Sequence, residues 1–291
     1  RDQPRSRGLG DVYKRQLREG EQIFFVHGVD GDPLGMLFHS VAASLRFPSS
    51  TVRCIEKPKV VAATLEDLAQ YYVDRIRERQ PEGPYRIFGH SFGALIAHQV
   101  ALMFEANGQT VAALVLGDFE VTYPPSRSKR AAKNPGDAGR FGVEEWEGGE
   151  IESIKLACRR FGSLADGGAF DPDEFRNKVL TNASGPKDRR MRAMYHYMPG
   201  YMQRKEWDRL LDLWERNMEY LHTVTVPKFG PKKRETFEPQ GMVQGPTLHL
   251  RALGSKEFAV AEEINRTYCA DYTVAELDGL HYNFLQAPYC D

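Results

Sequence analysis

Residues 85–94 read Tyr-Arg-Ile-Phe-Gly-His-Ser-Phe-Gly-Ala, an apolar stretch that runs directly into Gly89-x-Ser91-x-Gly93. The stretch predicts a buried strand, and the sequence behind it predicts a helix that ends near Gly108. A serine between two such elements lies on a sharp, strained turn that exposes its hydroxyl to a base. The two glycines are a steric requirement, because a side chain at either position would collide with a neighbouring element. We therefore interpret Ser91 as a nucleophile on a strand-to-helix elbow.

The composition argues against several classes of protein. Of the 291 residues, 41% are hydrophobic, which predicts an ordinary buried core. Lys plus Arg (39) nearly balances Asp plus Glu (40), so no global charge favours nucleic acid or an anionic membrane. No apolar run approaches the roughly 20 residues of a membrane span, and the four cysteines lack metal-type spacing. The sequence thus predicts a cytoplasmic protein that binds neither nucleic acid nor a metal and has no membrane span.

The two ends of the sequence differ from the rest. Residues 1–16 are charged and lack both periodicity and the hydrophobic segment of a secretion signal. We expect residues 1–19 to be an unstructured or artefactual leader outside the fold. At the other end, ten residues follow His281, too few for a closing amphipathic helix. This is what we expect of a piece of a longer protein.

Apolar runs alternate with helical patterns along the chain. The run at residues 23–26 is continuously apolar, which is typical of a strand buried on both faces. We predict six strands, at residues 23–26, 51–55, 85–88, 111–116, 247–250 and 272–277, and helices at 34–45, at 65–79 and directly after the elbow. This alternation predicts an α/β fold with a mostly parallel sheet flanked by helices. Ligands bind such sheets beyond the carboxyl ends of the strands.

One connection is far longer than a crossover requires. Between Leu116 and Thr247 lie about 130 residues, where a helix and two short loops would suffice. We therefore predict a core made of residues 20–122 and 246–291. Residues 123–245 would form a lid subdomain inserted into it.

The predicted lid contains a methionine stripe. Met191, Met194, Met198 and Met202 recur at helical spacing, and Trp214 belongs to a second helical pattern. Flexible thioethers suit a surface that adapts to apolar ligands, so Met191, Met194, Met198 and Trp214 are candidate substrate-binding residues. Plain core packing explains the same stripe equally well.

Ser91 requires a histidine as its base, and the chain has eight histidines. Position argues against those inside the elbow, the predicted helices and strands, or the insertion, namely His39, His90, His98, His196, His222 and His249. His281 follows the last predicted strand, where the chain order of serine, acid and histidine places the base. A solvated loop histidine is the alternative interpretation. We predict that His281 is the base.

Two carboxylates are candidates for the residue that orients the base. Asp118 follows the strand that comes next after the elbow, and adjacent parallel strands lie about 4.8 Å apart. Its carboxylate can therefore reach an imidazole held over the end of the neighbouring strand. Glu257 follows the strand at Thr247, in a polar run that indicates a solvated loop. We favour Asp118 and keep Glu257 as the alternative.

A backbone oxyanion hole would complete the site. One donor is expected to be the N–H of Phe92, the residue after the nucleophile. The second should come from the loop after the first strand, His27-Gly28-Val29-Asp30-Gly31. Val29 is the preferred donor, although a loop glycine could serve equally and a simple turn is the alternative.

Taken together, several segments resemble the terminal thioesterase domain of animal-type fatty acid and polyketide synthases, a branch of the α/β-hydrolase family. The resemblance covers roughly residues 20–290 and is carried by residues 23–31, 71–76, 80–93, 114–118 and 250–252. It implies an α/β-hydrolase fold with a helical lid. It also matches Ser91, Asp118 and His281 to the catalytic triad, and Val29 and Phe92 to the oxyanion donors. One departure is that Gly279-Leu280-His281 stands where the family often has Gly-Asp-His.

The resemblance implies a reaction and its partners. An acyl thioester, carried on the phosphopantetheine of an acyl carrier protein, would be transferred to Ser91 and released by water. No cofactor beyond that carrier group is expected, and neighbouring synthase domains are the other expected partners. Basic clusters at residues 127–133, 187–192 and 228–234 are candidates for docking an acidic carrier, although solvated loop charge explains them more simply.

Two other functions stay open at the level of sequence. A substrate hydroxyl or amine could intercept the acyl-enzyme, which would make this a macrocyclising or acyl-transferring domain. Alternatively, the elbow could be inherited without activity, in a non-catalytic acyl-binding module.

Overall fold

The structure, a computed structural model, describes chiefly the core of the protein. The described residues are 22–28, 38–45, 48–52, 64–122, 203–205, 207–208, 237–254, 260–281 and 284–285. The predicted leader and nearly all of the predicted lid lie outside them, so both domain boundaries remain predictions.

Six parallel strands form one sheet in the described part of the chain. They are β1 (Ile23–Val26), β2 (Ser49–Val52), β3 (Tyr85–His90), β4 (Val111–Gly117), β5 (Val243–Ala252) and β6 (Cys269–Leu277). Their order across the sheet is β2-β1-β3-β4-β5-β6, with every neighbouring pair parallel. All carboxyl ends therefore meet at one edge, with β3 and β4 in the middle.

Besides the helical residues 204–205 and 207–208, four helices accompany the sheet in the described residues. They are α1 (His39–Ser44), α2 (Leu65–Arg79), α3 (Phe92–Ala106) and α4 (Ala261–Arg266). Helix α2 begins where the Thr64 hydroxyl accepts a hydrogen bond from the backbone N–H of Asp67 at 3.0 Å, which caps its first turn. Helix α3 is buried over most of its length and ends before Gly108, whose φ is 71°. The alternation of strand and helix predicted from the apolar pattern is thus confirmed.

The core lies on both faces of the sheet because successive strand residues point to opposite sides. Phe24 and Val26 pack with the buried stripes of α2 and α3. Ile23 and Phe25 pack on the other face, where the Phe25 ring stacks on the Phe38 ring at a centroid distance of 4.5 Å. A strand with both faces buried reads as an unbroken apolar run, which is why β1 matches its predicted bounds.

Strand β5 is longer than its predicted bounds of residues 247–250. Gly245-Pro246 resembles a strand breaker, yet the strand already begins at Val243 and passes the proline with a shift in register against β6. The Glu105 carboxylate, at the end of α3, accepts hydrogen bonds from the backbone N–H groups of Gln244 and Gly245 at 2.9 and 2.8 Å. This contact from a distant helix holds the start of the strand, and no local pattern reveals it.

Three histidines are buried within these elements and are neutral. Burial lowers the pKa of His90 to about 3, and that of His98 and His249 to about 4, from an ordinary value of 6.5. In the unfolded chain these side chains bind a proton below about pH 6.5, while in the folded chain they do not. Their contribution to stability is therefore complete above pH 6.5 and is lost as the pH falls toward 4.

We expect the free energy of unfolding to fall between about pH 6.5 and about pH 4, by up to about 1 kcal/mol per pH unit for each buried histidine. Urea denaturation at several pH values measures this slope. His98→Phe should lower the free energy of unfolding near neutral pH. It should also reduce the slope of that free energy against pH by about the contribution of one histidine. An unchanged slope in His98→Phe would contradict the assignment of a neutral buried His98.

Candidate active site

Ser91 lies on the turn that joins β3 to α3. Its φ of 55° and ψ of −133° form a strained combination for a residue other than glycine. The backbone N–H of Ser91 donates to the carbonyl of Gly117 at 2.9 Å, which fixes the turn to the end of β4. Although Ser91 is the N-cap of α3, its side chain makes no capping hydrogen bond to the helix. The hydroxyl is instead directed to His281.

The glycines on either side of Ser91 are required by close backbone approaches. A Cβ at Gly89 would overlap the backbone of Gly93, and a Cβ at Gly93 would overlap the carbonyl oxygens of Val26 and His27. Helix α3 therefore starts in direct contact with the end of β1. This confirms the steric reason predicted for both glycines.

Three side chains that are distant in sequence form one hydrogen-bonded series. The Nε2 of His281 lies 2.9 Å from the Oγ of Ser91, and its Nδ1 lies 2.8 Å from the Oδ2 of Asp118. A carboxylate can only accept, so Nδ1 carries the proton and Nε2 accepts from the Ser91 hydroxyl. Asp118 and His281 are both buried. The imidazole is thus held in the tautomer that can remove the serine proton.

Asp118 is held by the end of the neighbouring strand β5. It follows β4 directly with a φ of 49°, and its backbone N–H donates to the carbonyl of Leu250 at 2.8 Å. Its Oδ1 accepts a hydrogen bond from the N–H of Ala252 at 3.1 Å, while Oδ2 accepts from His281. A buried carboxylate is stabilised when its oxygens accept such bonds. The alternative acid, Glu257, lies outside the described residues.

One of the two predicted oxyanion donors lies in the described part of the chain. Phe92 is the first residue of α3, so its N–H lies at the positive end of the helix dipole, beside Ser91. Val29 lies outside the described residues and remains a prediction, as do the substrate-binding roles of Met191, Met194, Met198 and Trp214.

His27 and Tyr72 form a buried pair at the start of the loop that contains Val29. The sequence did not reveal this pair. The His27 Nδ1–H donates to the carbonyl of Gly28 at 2.7 Å, and the Tyr72 hydroxyl donates to the His27 Nε2 at 2.8 Å. Both side chains are buried. One signal for this pair was available in the sequence, because Tyr72 lies in the apolar stripe of α2. The ring of a buried tyrosine needs no hydrogen-bond partner, but its hydroxyl does.

Asn265 is a second residue that sequence reasoning missed. Its amide nitrogen donates to the carbonyl of Phe119 at 2.9 Å, and its amide oxygen accepts from the N–H of Val121 at 2.9 Å. This buried asparagine thereby holds the chain that leaves Asp118. Nothing local marks it, because its partners lie more than 140 residues away in sequence.

The described part of the chain has neither a metal-binding cluster nor a membrane-spanning helix. Within those residues, no group of three or more His, Cys, Asp or Glu side chains is arranged to hold a metal ion. Among the same residues, no helix has the length and apolar character needed to cross a membrane.

Residues 21–145 match the family model for the thioesterase domain. The chain is also similar to parts of fungal synthases. Malpinin synthetase of Mortierella alpina is 41% identical over 63 residues, which are 22% of this chain and 1% of that protein. Microperfuranone synthase of Emericella nidulans is 31% identical over 111 residues, which are 36% of this chain and 11% of that protein. The matched part is therefore a small fraction of these relatives' length.

Solved structures resemble the fold over nearly the whole chain. The Vlm2 thioesterase domain is 18% identical with a TM-score of 0.59, and the match covers 93% of this chain and 90% of that one. The type II thioesterase BorB from the borrelidin biosynthetic cluster is 16% identical with a TM-score of 0.53, and the match covers 91% and 87%. At such identities the likeness shows the fold alone.

These similarities confirm the predicted α/β-hydrolase fold, and residues 21–145 are similar to thioesterase domains. The relatives named above are a synthetase of Mortierella alpina and a synthase of Emericella nidulans. The narrower assignment to the animal type is not confirmed by them and remains a prediction.

A glycine substitution tests how closely the elbow is packed. Gly93→Ala should prevent folding or lower the free energy of unfolding by several kcal/mol, because the new methyl group meets the backbone of β1. Gly108→Ala is the matched control, since its φ of 71° is strained for alanine but nothing lies within 4 Å of the new Cβ. We expect the control to cost about 1 kcal/mol. Equal losses in the two variants, measured by urea denaturation, would contradict the close approach.

Proposed function

We propose that the chain is a serine thioesterase domain that releases an acyl chain from a carrier-bound thioester by hydrolysis. The observation that supports this most strongly is the hydrogen-bonded series Ser91, His281 and Asp118 at the carboxyl edge of the sheet. Its members lie at the ends of β3 and β4 and after β6, where an α/β sheet binds its ligand. The similarity to thioesterase domains supports a thioester as the substrate.

The first half of the reaction transfers the acyl group to the enzyme. Ser91 Oγ forms a bond to the thioester carbonyl carbon while its proton passes to His281 Nε2. The carbon–sulfur bond then breaks, and the leaving thiolate takes the proton from His281. Asp118 keeps the proton of His281 on Nδ1 throughout and stabilises the imidazolium that forms between the two transfers.

Each tetrahedral intermediate places a negative charge on the former carbonyl oxygen. The N–H of Phe92 is well placed to stabilise that charge because it adjoins Ser91 at the N-terminus of α3. Val29 is the proposed second donor. The His27–Tyr72 pair would hold the backbone that leads to Val29 in a single conformation.

Water completes the reaction. His281 removes a proton from water, the hydroxide attacks the acyl-serine, and Ser91 leaves with the proton returned by His281. The products are a free acid and a regenerated enzyme. A thiolate is a good leaving group, so the triad and two backbone donors supply the proton transfers and charge stabilisation that the proposed steps require.

The partners follow from the proposed substrate. An acyl thioester on a carrier protein presents its carbonyl at the end of a phosphopantetheine arm, which brings it from a separate domain to Ser91. We propose an acyl carrier protein or a neighbouring synthase domain as the source. The relatives named above are synthases, which supports this proposal.

Ser91→Ala and Asp118→Asn test the proposed mechanism. With an acyl-pantetheine thioester and a thiol reagent as readout, Ser91→Ala should reduce thiol release by several orders of magnitude, to the residual rate that the oxyanion donors and substrate binding support. Asp118→Asn should lower kcat by about a thousandfold or more, because asparagine no longer favours the required tautomer of His281. Ser44→Ala and Asp271→Asn are the matched controls, since both residues are exposed and neither contributes to the hydrogen-bonded series. Thiol release at the wild-type rate in Ser91→Ala would disprove the proposal.

A further inference from the structure

A second histidine lies against the proposed base. His90 is the last residue of β3 and directly precedes Ser91. Its ring centroid is 4.9 Å from that of His281 with an interplanar angle of 32°, and 5.7 Å from that of Phe284. The side chain is buried. His90 therefore packs between the elbow and the segment that contains the base.

His90 also makes a hydrogen bond to the backbone of the base. Its Nε2 lies 2.9 Å from the carbonyl oxygen of His281. A carbonyl can only accept, so the His90 proton must be on Nε2 and Nδ1 must be unprotonated. Nδ1 is buried and has no hydrogen-bond partner among the described residues. The one hydrogen bond that the buried ring makes there is thus the bond to His281.

We propose that His90 is a positioning residue that keeps His281 in line with Ser91. Residue 281 is then held at three atoms, Nδ1 by Asp118, Nε2 by Ser91 and the backbone oxygen by His90. The side-chain bonds orient the imidazole, whereas the bond from His90 fixes the backbone from which it extends. This inference rests on the proposed role of His281 as the base.

The charge state of His90 suits this role. Burial and, to a lesser extent, the neighbouring His281 side chain lower its pKa to about 3, although the hydrogen bond to the His281 backbone and the carboxylate of Asp118 oppose that shift. His90 is therefore neutral when His281 becomes an imidazolium, so it does not repel the charge that forms during the reaction. It also does not compete as a base, because its Nδ1 faces no described hydrogen-bond donor.

Three variants separate positioning from plain packing. His90→Phe keeps a ring of similar shape but removes the donor, and we expect kcat for acyl-thioester hydrolysis to fall about tenfold or more with little change in KM. His90→Gln places an amide N–H at a similar distance from the backbone and should recover most of that loss. His98→Phe is the matched control, because the His98 Nε2 likewise lies 3.0 Å from a backbone carbonyl, that of Tyr268, two turns along α3. It should lower stability but not kcat.

The outcomes distinguish this inference from the proposed function. Wild-type protein without thioester hydrolysis, or Ser91→Ala with full activity, would disprove the proposed function. If those two results are as expected, an unchanged kcat in His90→Phe, or equal losses in His90→Phe and His90→Gln, would overturn the positioning role. An equal loss of kcat in His98→Phe would also overturn it, because the effect would then be one of general stability.

A measurement on the wild-type protein needs no substitution. Nitrogen-15 NMR of the histidine side chains should show His90 protonated on Nε2 and neutral throughout the range from about pH 5 to about pH 8. His90 protonated on Nδ1, or titrating within that range, would contradict the hydrogen bond to His281. This measurement tests the hydrogen bond on which the inference depends, even if His90→Phe does not fold.

Discussion

Two backbone hydrogen bonds beyond the strand ends hold the site together. The N–H of Ser91 donates to Gly117 at 2.9 Å, and the N–H of Asp118 donates to Leu250 at 2.8 Å, so each ties the residue after one strand to the next strand. Without them the ends of β3, β4 and β5 could separate, and the 2.8 and 2.9 Å contacts of His281 would be lost. The sheet register thus sets the distance between nucleophile and acid, and His281 spans it.

The site combines local strain with complete support from its surroundings. Ser91 and Asp118 are the two described residues other than glycine with positive φ, and both lie at the carboxyl edge of the sheet. Such conformations persist only where neighbouring groups determine them. Here the buried supports are backbone carbonyls, the N–H of Ala252 and the side chains of His90 and Asn265. The strain keeps the Ser91 hydroxyl exposed to its base instead of capping helix α3.

Much of the core and of the proposed series could be predicted from sequence, because both depend on local patterns. The apolar runs located the strands, helix α2 matched its predicted bounds, and the elbow motif marked Ser91. Asp118 and His281 could then be predicted as its partners, because each of them follows a predicted strand. The supports were missed because they are contacts between distant segments. His90 was dismissed as part of the elbow, and Tyr72 was placed only within the predicted helix at residues 65–79. A buried polar side chain is stabilised when it finds a hydrogen-bond partner, and the sequence does not show which residue that partner is.

The proposed function depends above all on the acylation of Ser91 by a thioester substrate. Intact-protein mass spectrometry, after brief mixing with an acyl-pantetheine thioester and an acid quench, tests this most directly. Peptide mapping should locate the added acyl mass on Ser91, and the adduct should disappear as product forms. Turnover with no acyl-serine, or with the acyl group on Cys269 or another side chain, would contradict the proposed role of Ser91 as nucleophile.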